Sequence, residues 1–214
     1  METCVRYAIN KGLRAIAFTD HIWRTSDWVD AYVEECNKVK ERYPGLQILI
    51  GAEAKAINLN GDVDISHRDA EKLDFVTGSV HRRLPDEPDT RFHDLRQLSP
   101  EEAARAESDI IVAMTENPVV NVIGHPMRLY YKFFYLAEKT RETFPAALLR
   151  TILSAVKNSG KMIELNYNVP DLKAVMECYK ESGVAFLLGS DAHQADAVGD
   201  IPFTEIVRLC QQTQ

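Results

Sequence analysis

Asp191 and His193 stand two residues apart just past the apolar run Val184–Leu188, after Gly189-Ser190. A carboxylate and an imidazole so close together suit ligation of a first-row divalent metal. Alone, Asp-x-His in a loop is more often a capping aspartate beside an exposed histidine than a ligand pair. The same ending recurs along the chain, however. Leu13–Thr19 runs into Asp20-His21, Leu46–Ala52 into Glu53, Leu73–Val80 into His81, Val119–Gly124 into His125-Pro126, and Lys161–Leu165 into Asn166-Tyr167-Asn168. Short apolar runs of this kind are how strands covered on both faces read. In α/β folds the reacting groups sit in the loops where such strands end. The six runs therefore bring metal-competent or polar groups to one edge of one sheet.

Helical stretches separate these runs and must position them. Glu2–Lys11 carries Val5, Ala8 and Ile9 on one face, with Gly12 as its stop. Trp28–Tyr43 reads as a helix capped by Ser26 and ended by Pro44-Gly45. Ala54–Asp64 is expected to be an excursion turning at Asn60-Gly61, followed by a short helix at His67–Lys72. Arg82–Leu98, with Pro85 and Pro88, reads as a long loop on the site edge. Ser99-Pro-Glu-Glu102 is a capping box opening a helix to about Asn117, which Pro118 ends. Met127–Thr140 reads as irregular, with Tyr130, Tyr131, Phe133, Phe134 and Tyr135 forming a lid packed on the barrel. Helices near Pro145–Ser159, Pro170–Ser182 and Pro202–Gln211 complete an alternation that requires right-handed crossovers and a parallel sheet.

At 214 residues with no linker or low-complexity tract, the chain is expected to form a single domain over 1–214. A formal charge of −7 argues against a protein built to coat nucleic acid. No run reaches the roughly 18–20 apolar residues of a membrane span, and the N-terminus has no signal-like apolar segment, so a cytoplasmic location is expected. Cys4, Cys36, Cys178 and Cys210 are scattered singly and read as reduced thiols, with neither a zinc-finger nor a redox spacing.

Taken together, Phe18-Thr-Asp-His21, Gly51-Ala-Glu53, Gly78-Ser-Val-His81, Gly124-His125-Pro126, Glu164-Leu-Asn166 and Ser190-Asp-Ala-His193 resemble, in order and over essentially the whole chain, the motifs of the PHP (polymerase and histidinol phosphatase) family. The short form is most similar to the stand-alone phosphatases. The resemblance implies an α/β fold, a distorted (βα)7 TIM-like barrel, with up to three zinc, manganese or iron ions that hydrolyse phosphoesters at the strand C-termini. Metal ligands would be His21, Glu53, His81, His125, Asp191 and His193. Glu53 would bridge two ions, sharing one with His81 and His125 and the other with Asp191. His21 and His193 would serve the third. Glu53, His81 and Asp191, joined by Arg82 and Arg128 on the substrate phosphate, would form the catalytic set.

Family members begin with a strand carrying His-x-His. Here a helix begins almost at Met1 and no histidine precedes His21, so the resemblance implies a barrel missing its first strand and fewer metals than three. An open edge between Leu13–Thr19 and Val184–Leu188 is then expected, with a homo-oligomer as one way of covering it. The leading function is a metal-dependent phosphatase of a small phosphorylated metabolite or nucleotide. The alternatives are a catalytically impaired, shortened relative that binds metal in a regulatory or binding role, and a metal-dependent C–N hydrolase.

Arg24, Arg82, Arg83 and Arg128 follow ligand positions closely enough to reach a phosphate, or are solvated loop arginines. Arg82 and Arg128 are the favoured pair. Lys55 reads as a structural ion-pair residue, His67 and His93 as ordinary surface histidines, and Glu164 and Asn166 as supports that orient a ligand.

Overall fold

The computed structural model describes residues 1–211. Six parallel strands form one sheet in the order β1 (Ala15–Phe18), β2 (Gln47–Lys55), β3 (Phe75–Ser79), β4 (Val122–Ile123), β5 (Met162–Glu164) and β6 (Phe186–Leu187). Each strand pairs with its sequence neighbour, so every connection is a crossover of the βαβ kind. The sheet bends around a cavity of about 1350 Å³ to which all six strands contribute. Among the described residues β1 pairs only with β2 and β6 only with β5, leaving two edges at the open side of the cavity.

Alternation along the strands decides which groups face that cavity. In β2, Ile48, Ile50, Ala52 and Ala54 are buried toward the helices, while Leu49 and Glu53 line the cavity. The same period places Phe75 and Thr77 of β3, and Met162 and Glu164 of β5, on the inner side. The outer side packs against α1 (Glu2–Asn10), α2 (Val29–Arg42), α4 (Pro100–Met114), α6 (Ala146–Ser159), α7 (Leu172–Ser182) and α8 (Phe203–Gln211). A shorter α3 (His67–Ala70) precedes β3, capped by Ser66.

Helix boundaries follow local chemistry. The Ser99–Glu102 capping box forms in full, with Pro100 in the first turn, a device worth about 1 kcal/mol. α6 and α7 end at Gly160 and Gly183, each left-handed, where an L side chain would be strained. Ser26 does not cap α2. Its hydroxyl accepts from the Trp23 N–H at 3.1 Å, closing a turn before the helix, and Trp28 opens α2 without a side-chain cap.

Two stretches are more regular than expected. β2 runs on through Lys55 because Ala54 and Ala56 fit closely against the core and Lys55 meets Asp64 at 3.5 Å. Beyond it, Ala56 pairs antiparallel with Val63 across the Asn60-Gly61 turn. Met127–Thr140 is largely helical: a short α5 (Arg128–Tyr130) passes directly into a π-helical turn, Tyr131–Tyr135. Tyr130, Tyr131 and Phe134 are buried there, so the aromatic run belongs to the core. All four cysteines are free thiols. No helix among the described residues is long and apolar enough to cross a membrane.

Candidate metal centre at the strand ends

Glu53 is the hub. It stands near the end of β2 and faces the cavity, with its side chain 12% exposed. His125 Nε2 donates to its Oε1 at 2.8 Å, and His81 Nε2 donates to the same oxygen at 3.1 Å. His21 Nδ1 lies 3.4 Å from Oε2. Burial alone would raise this carboxyl, but the hydrogen bonds from His125 and His81 overcome that and hold it well below the usual carboxylate range. The effect on His125 is reciprocal: burial would lower the imidazole, yet the Glu53 carboxylate raises it.

Backbone pairing sets this convergence. The β1–β2 ladder continues past β1, with Glu53 N–H donating to the Asp20 carbonyl at 3.0 Å and Ile22 N–H donating to the Glu53 carbonyl at 3.2 Å. His21 is thereby laid beside Glu53. His81 follows β3, and its ring stacks on that of His125, with centroids 5.5 Å apart and planes 12° apart. Gly124 lets the β4 end approach β3, since a Cβ there would collide with Ser79 and Thr77.

Buried supports fix the β4 turn. Glu164 Oε2 accepts from His125 N–H at 2.7 Å, and Asn166 Nδ2 donates to the Pro126 carbonyl at 3.0 Å. Burial pushes the Glu164 carboxyl up, and the nearby His125 opposes that. Tyr179 O–H donates to the Glu164 carbonyl at 2.8 Å, tying the end of β5 to α7.

The β6 end is looser. Asp191, with φ of +45°, pairs with Arg128 Nη1 across the mouth of the cavity. His193 lies 3.5 Å from Asp191 and is 69% exposed. The histidine and carboxylate ends thus fall into two groups: His21, Glu53, His81 and His125 in contact, and Asp191 with His193 and Arg128.

The arginines separate as well. Arg24 commits its guanidinium to Asp64 and Asp86, and Arg83 lies 3.9 Å from Asp94. Arg82 is exposed, beside His81 in sequence, without a hydrogen bond or ion pair from its side chain among the described residues. His67 is exposed; His93 is half-buried, its Nδ1 donating to the Leu84 carbonyl at 3.3 Å. One residue of the site region escaped the sequence reading. Glu107, buried in α4, accepts from backbone N–H groups just after Arg128. A lone glutamate inside a helix gives no sign that a distant turn will cover it.

The donor set fits a divalent metal ion. One ligand atom each from His21, Glu53 and His81 lies within 4.8 Å of the others. Mixed imidazole and carboxylate donors suit zinc and its neighbours in the first row.

Residues 1–168 match the PHP domain. The chain belongs to the PHP family. A probable phosphatase of Caldanaerobacter subterraneus subsp. tengcongensis is 31% identical over 216 residues, covering 96% of this chain and 74% of the relative. A probable phosphatase of Thermoanaerobacter sp. is 28% identical over 212 residues, covering 91% and 72%. Among solved structures, the histidinol phosphate phosphatase of Lactococcus lactis subsp. lactis, complexed with zinc, L-histidinol and phosphate, superposes with a TM-score of 0.66 at 23% identity. That likeness covers 97% of this chain and 86% of the other, and it shows that the two share a fold.

Proposed function

We propose that this PHP chain is a metal-dependent phosphatase that hydrolyses small phosphorylated metabolites or nucleotides. The observation that carries the reading is the meeting of three imidazoles from three strand ends on the single carboxylate of Glu53. An ion-pair network has no need of three histidines on one acid, whereas a divalent cation is held well by that set. The relatives named as phosphatases, and a neighbour of the same fold that carries zinc and phosphate, support it.

His21, Glu53, His81 and His125 would hold the metal, and Asp191 with His193 would offer a weaker second position. When bound, a divalent ion supplies charge stabilisation for phosphoryl oxygens and activates a water at neutral pH. The protein's own groups do the rest. Glu53 keeps the imidazoles aimed at one point, while Glu164 and Asn166 fix the turn that carries His125. Arg128 presents a planar guanidinium that can take two phosphoryl oxygens at once. Arg82, following His81 and unpaired, is the second phosphate contact. Asp191 holds Arg128 at the mouth until an anionic substrate competes for it. An overall charge of −7 favours a compact phosphoester over a polyanion that needs a broad basic surface.

Release of inorganic phosphate from an aryl phosphate, measured with and without added zinc or manganese, tests the proposal. Turnover should require the metal and vanish in His81→Ala. Stoichiometric metal without any turnover on a panel of phosphomonoesters would instead establish a metal-binding protein with a regulatory or binding role.

A further inference from the structure

A carboxyl that takes no part in the metal cluster holds the turn after β4 from the opposite side. Glu107 sits in the middle of α4 and is 1% exposed. Its Oε1 accepts from Leu129 N–H at 3.4 Å and its Oε2 from Tyr130 N–H at 3.2 Å. These are first-turn N–H groups of the helical segment Arg128–Tyr135, which have no acceptor within their own helix. Burial pushes the Glu107 carboxyl up to about 7, against the hydrogen bonds from Tyr130 and Leu129. A buried acid of this kind weakens the fold when ionised. What it contributes is a fixed direction for the first helical turn.

That turn follows strained backbone. His125 and Met127 have φ of 23° and 66°, values that L residues hold only when their surroundings over-determine them. Glu164 and Asn166 hold the His125-Pro126 end. Glu107 holds the Arg128 end, because the two N–H groups it takes come immediately after Arg128. Further along, the roll of the helix is locked: Tyr130 O–H donates to the Glu142 carbonyl at 3.1 Å, and Phe144 N–H donates to the Tyr131 hydroxyl at 3.1 Å. Arg128 is left at the head of a rigid mount, facing Asp191.

We propose that Glu107 is a positioning residue for Arg128: by capping the first turn of the helix after β4, it fixes where the guanidinium meets the substrate's phosphoryl group. The role rests on the phosphatase reading above. It predicts a variant whose substrate binding suffers while its stability does not.

Glu107→Gln keeps the shape but turns an amide NH2 toward one of the two backbone N–H groups. Its KM for an aryl phosphate should rise roughly tenfold with kcat nearly unchanged, as for loss of a group that aims a substrate contact. Its melting temperature above pH 7 should hold or rise, since a buried charge is gone. Arg128→Ala should raise KM similarly, and the double variant should be no worse than Arg128→Ala alone. Ile110→Val, which trims a buried methyl from the same helix, should lower the melting temperature and leave KM alone. If Glu107→Gln does not fold, Glu107→Asp, which withdraws the same charge by one methylene, takes its place in the series. Multiplying KM effects, or a lowered melting temperature with unchanged KM, would overturn the proposal. Hydrogen exchange at the Leu129 and Tyr130 amides needs no turnover: exchange should quicken in Glu107→Gln. Were the wild-type chain inactive on every phosphomonoester, the phosphatase reading would fall, and unaltered exchange would separately sink the role of Glu107.

Discussion

On β2, β3 and β4 the groups at the cavity mouth leave strands paired on both edges, whereas β1 and β6 each have one edge open. Exposure follows the pairing. The Glu53, His81 and His125 side chains are 12%, 31% and 12% exposed, against 40% for His21 beyond β1 and 38% and 69% for Asp191 and His193 beyond β6. The inner group is held by buried acceptors and donors, Glu164 and Asn166 among them. Asp191 and His193, at the β6 end, are held chiefly by their ion pairs, and exposed pairs typically contribute about 0–1 kcal/mol. Preorganisation of a ligand set therefore depends on how many neighbours its strands have, beyond the identity of the ligands.

The sharpest way to break the contrast is at its hub. Glu53→Gln removes the charge that gathers three imidazoles. Activity should fall by more than the ~10–100-fold expected when only a supporting group is lost, and bound metal should fall with it. Elemental analysis after dialysis, beside steady-state rates, measures both; a variant with full metal content would remove Glu53 from the centre. Next comes a paired comparison. His125→Ala should weaken zinc binding by at least about 100-fold, and His193→Ala by less than about tenfold. Titration against a competing chelator reads both, and equal losses would erase the distinction between the two groups.

A smaller effect appears with pH in the metal-free protein. Glu53 is held low, so its contribution is present above roughly pH 4.3 and is lost as pH falls through its lowered value. His125 is held high, so its contribution is full below roughly pH 6.5 and is lost as pH rises through its raised value. Glu107, raised to about 7, binds a proton more readily folded than unfolded, and stability falls as pH climbs toward that value. The melting temperature of metal-free protein should therefore decline from pH 6 to pH 8, and should do so less in His125→Ala. A flat thermal profile across that range would contradict the account of the inner group.

Much of this arrangement was legible in the residues. Apolar runs ending in Glu53, His81 and His125 became β2, β3 and β4, and Ser99-Pro-Glu-Glu102 became a complete cap. Those signals are local, set by period and by the chemistry of a few adjacent residues. What was less legible depends on distant packing. The Tyr130–Tyr135 run gives no periodic cue for a π-helical turn, and its helix exists because Phe144, Glu142 and Glu107 satisfy it from elsewhere. Ser26 looked like a cap because serine prefers helix starts, yet the nearer Trp23 N–H took its oxygen. The grouping of His21 with Glu53 and His81, apart from His193, comes from sheet order, which no single motif encodes.

The ladder that runs past the end of β1 has a consequence for sequence change in this region. His21 lies beside Glu53 through two backbone bonds that flank it, so its side is fixed by counting residues from Phe18. Strand side chains alternate, and a single inserted residue between Phe18 and His21 would reverse the imidazole's phase and turn it from the cavity. The same insertion a few positions later, between Trp23 and Trp28, would be absorbed by the loop. Tolerance to insertion thus changes abruptly within a handful of residues, from forbidden to free, and the boundary lies at Ile22, where the last rung of the ladder is made.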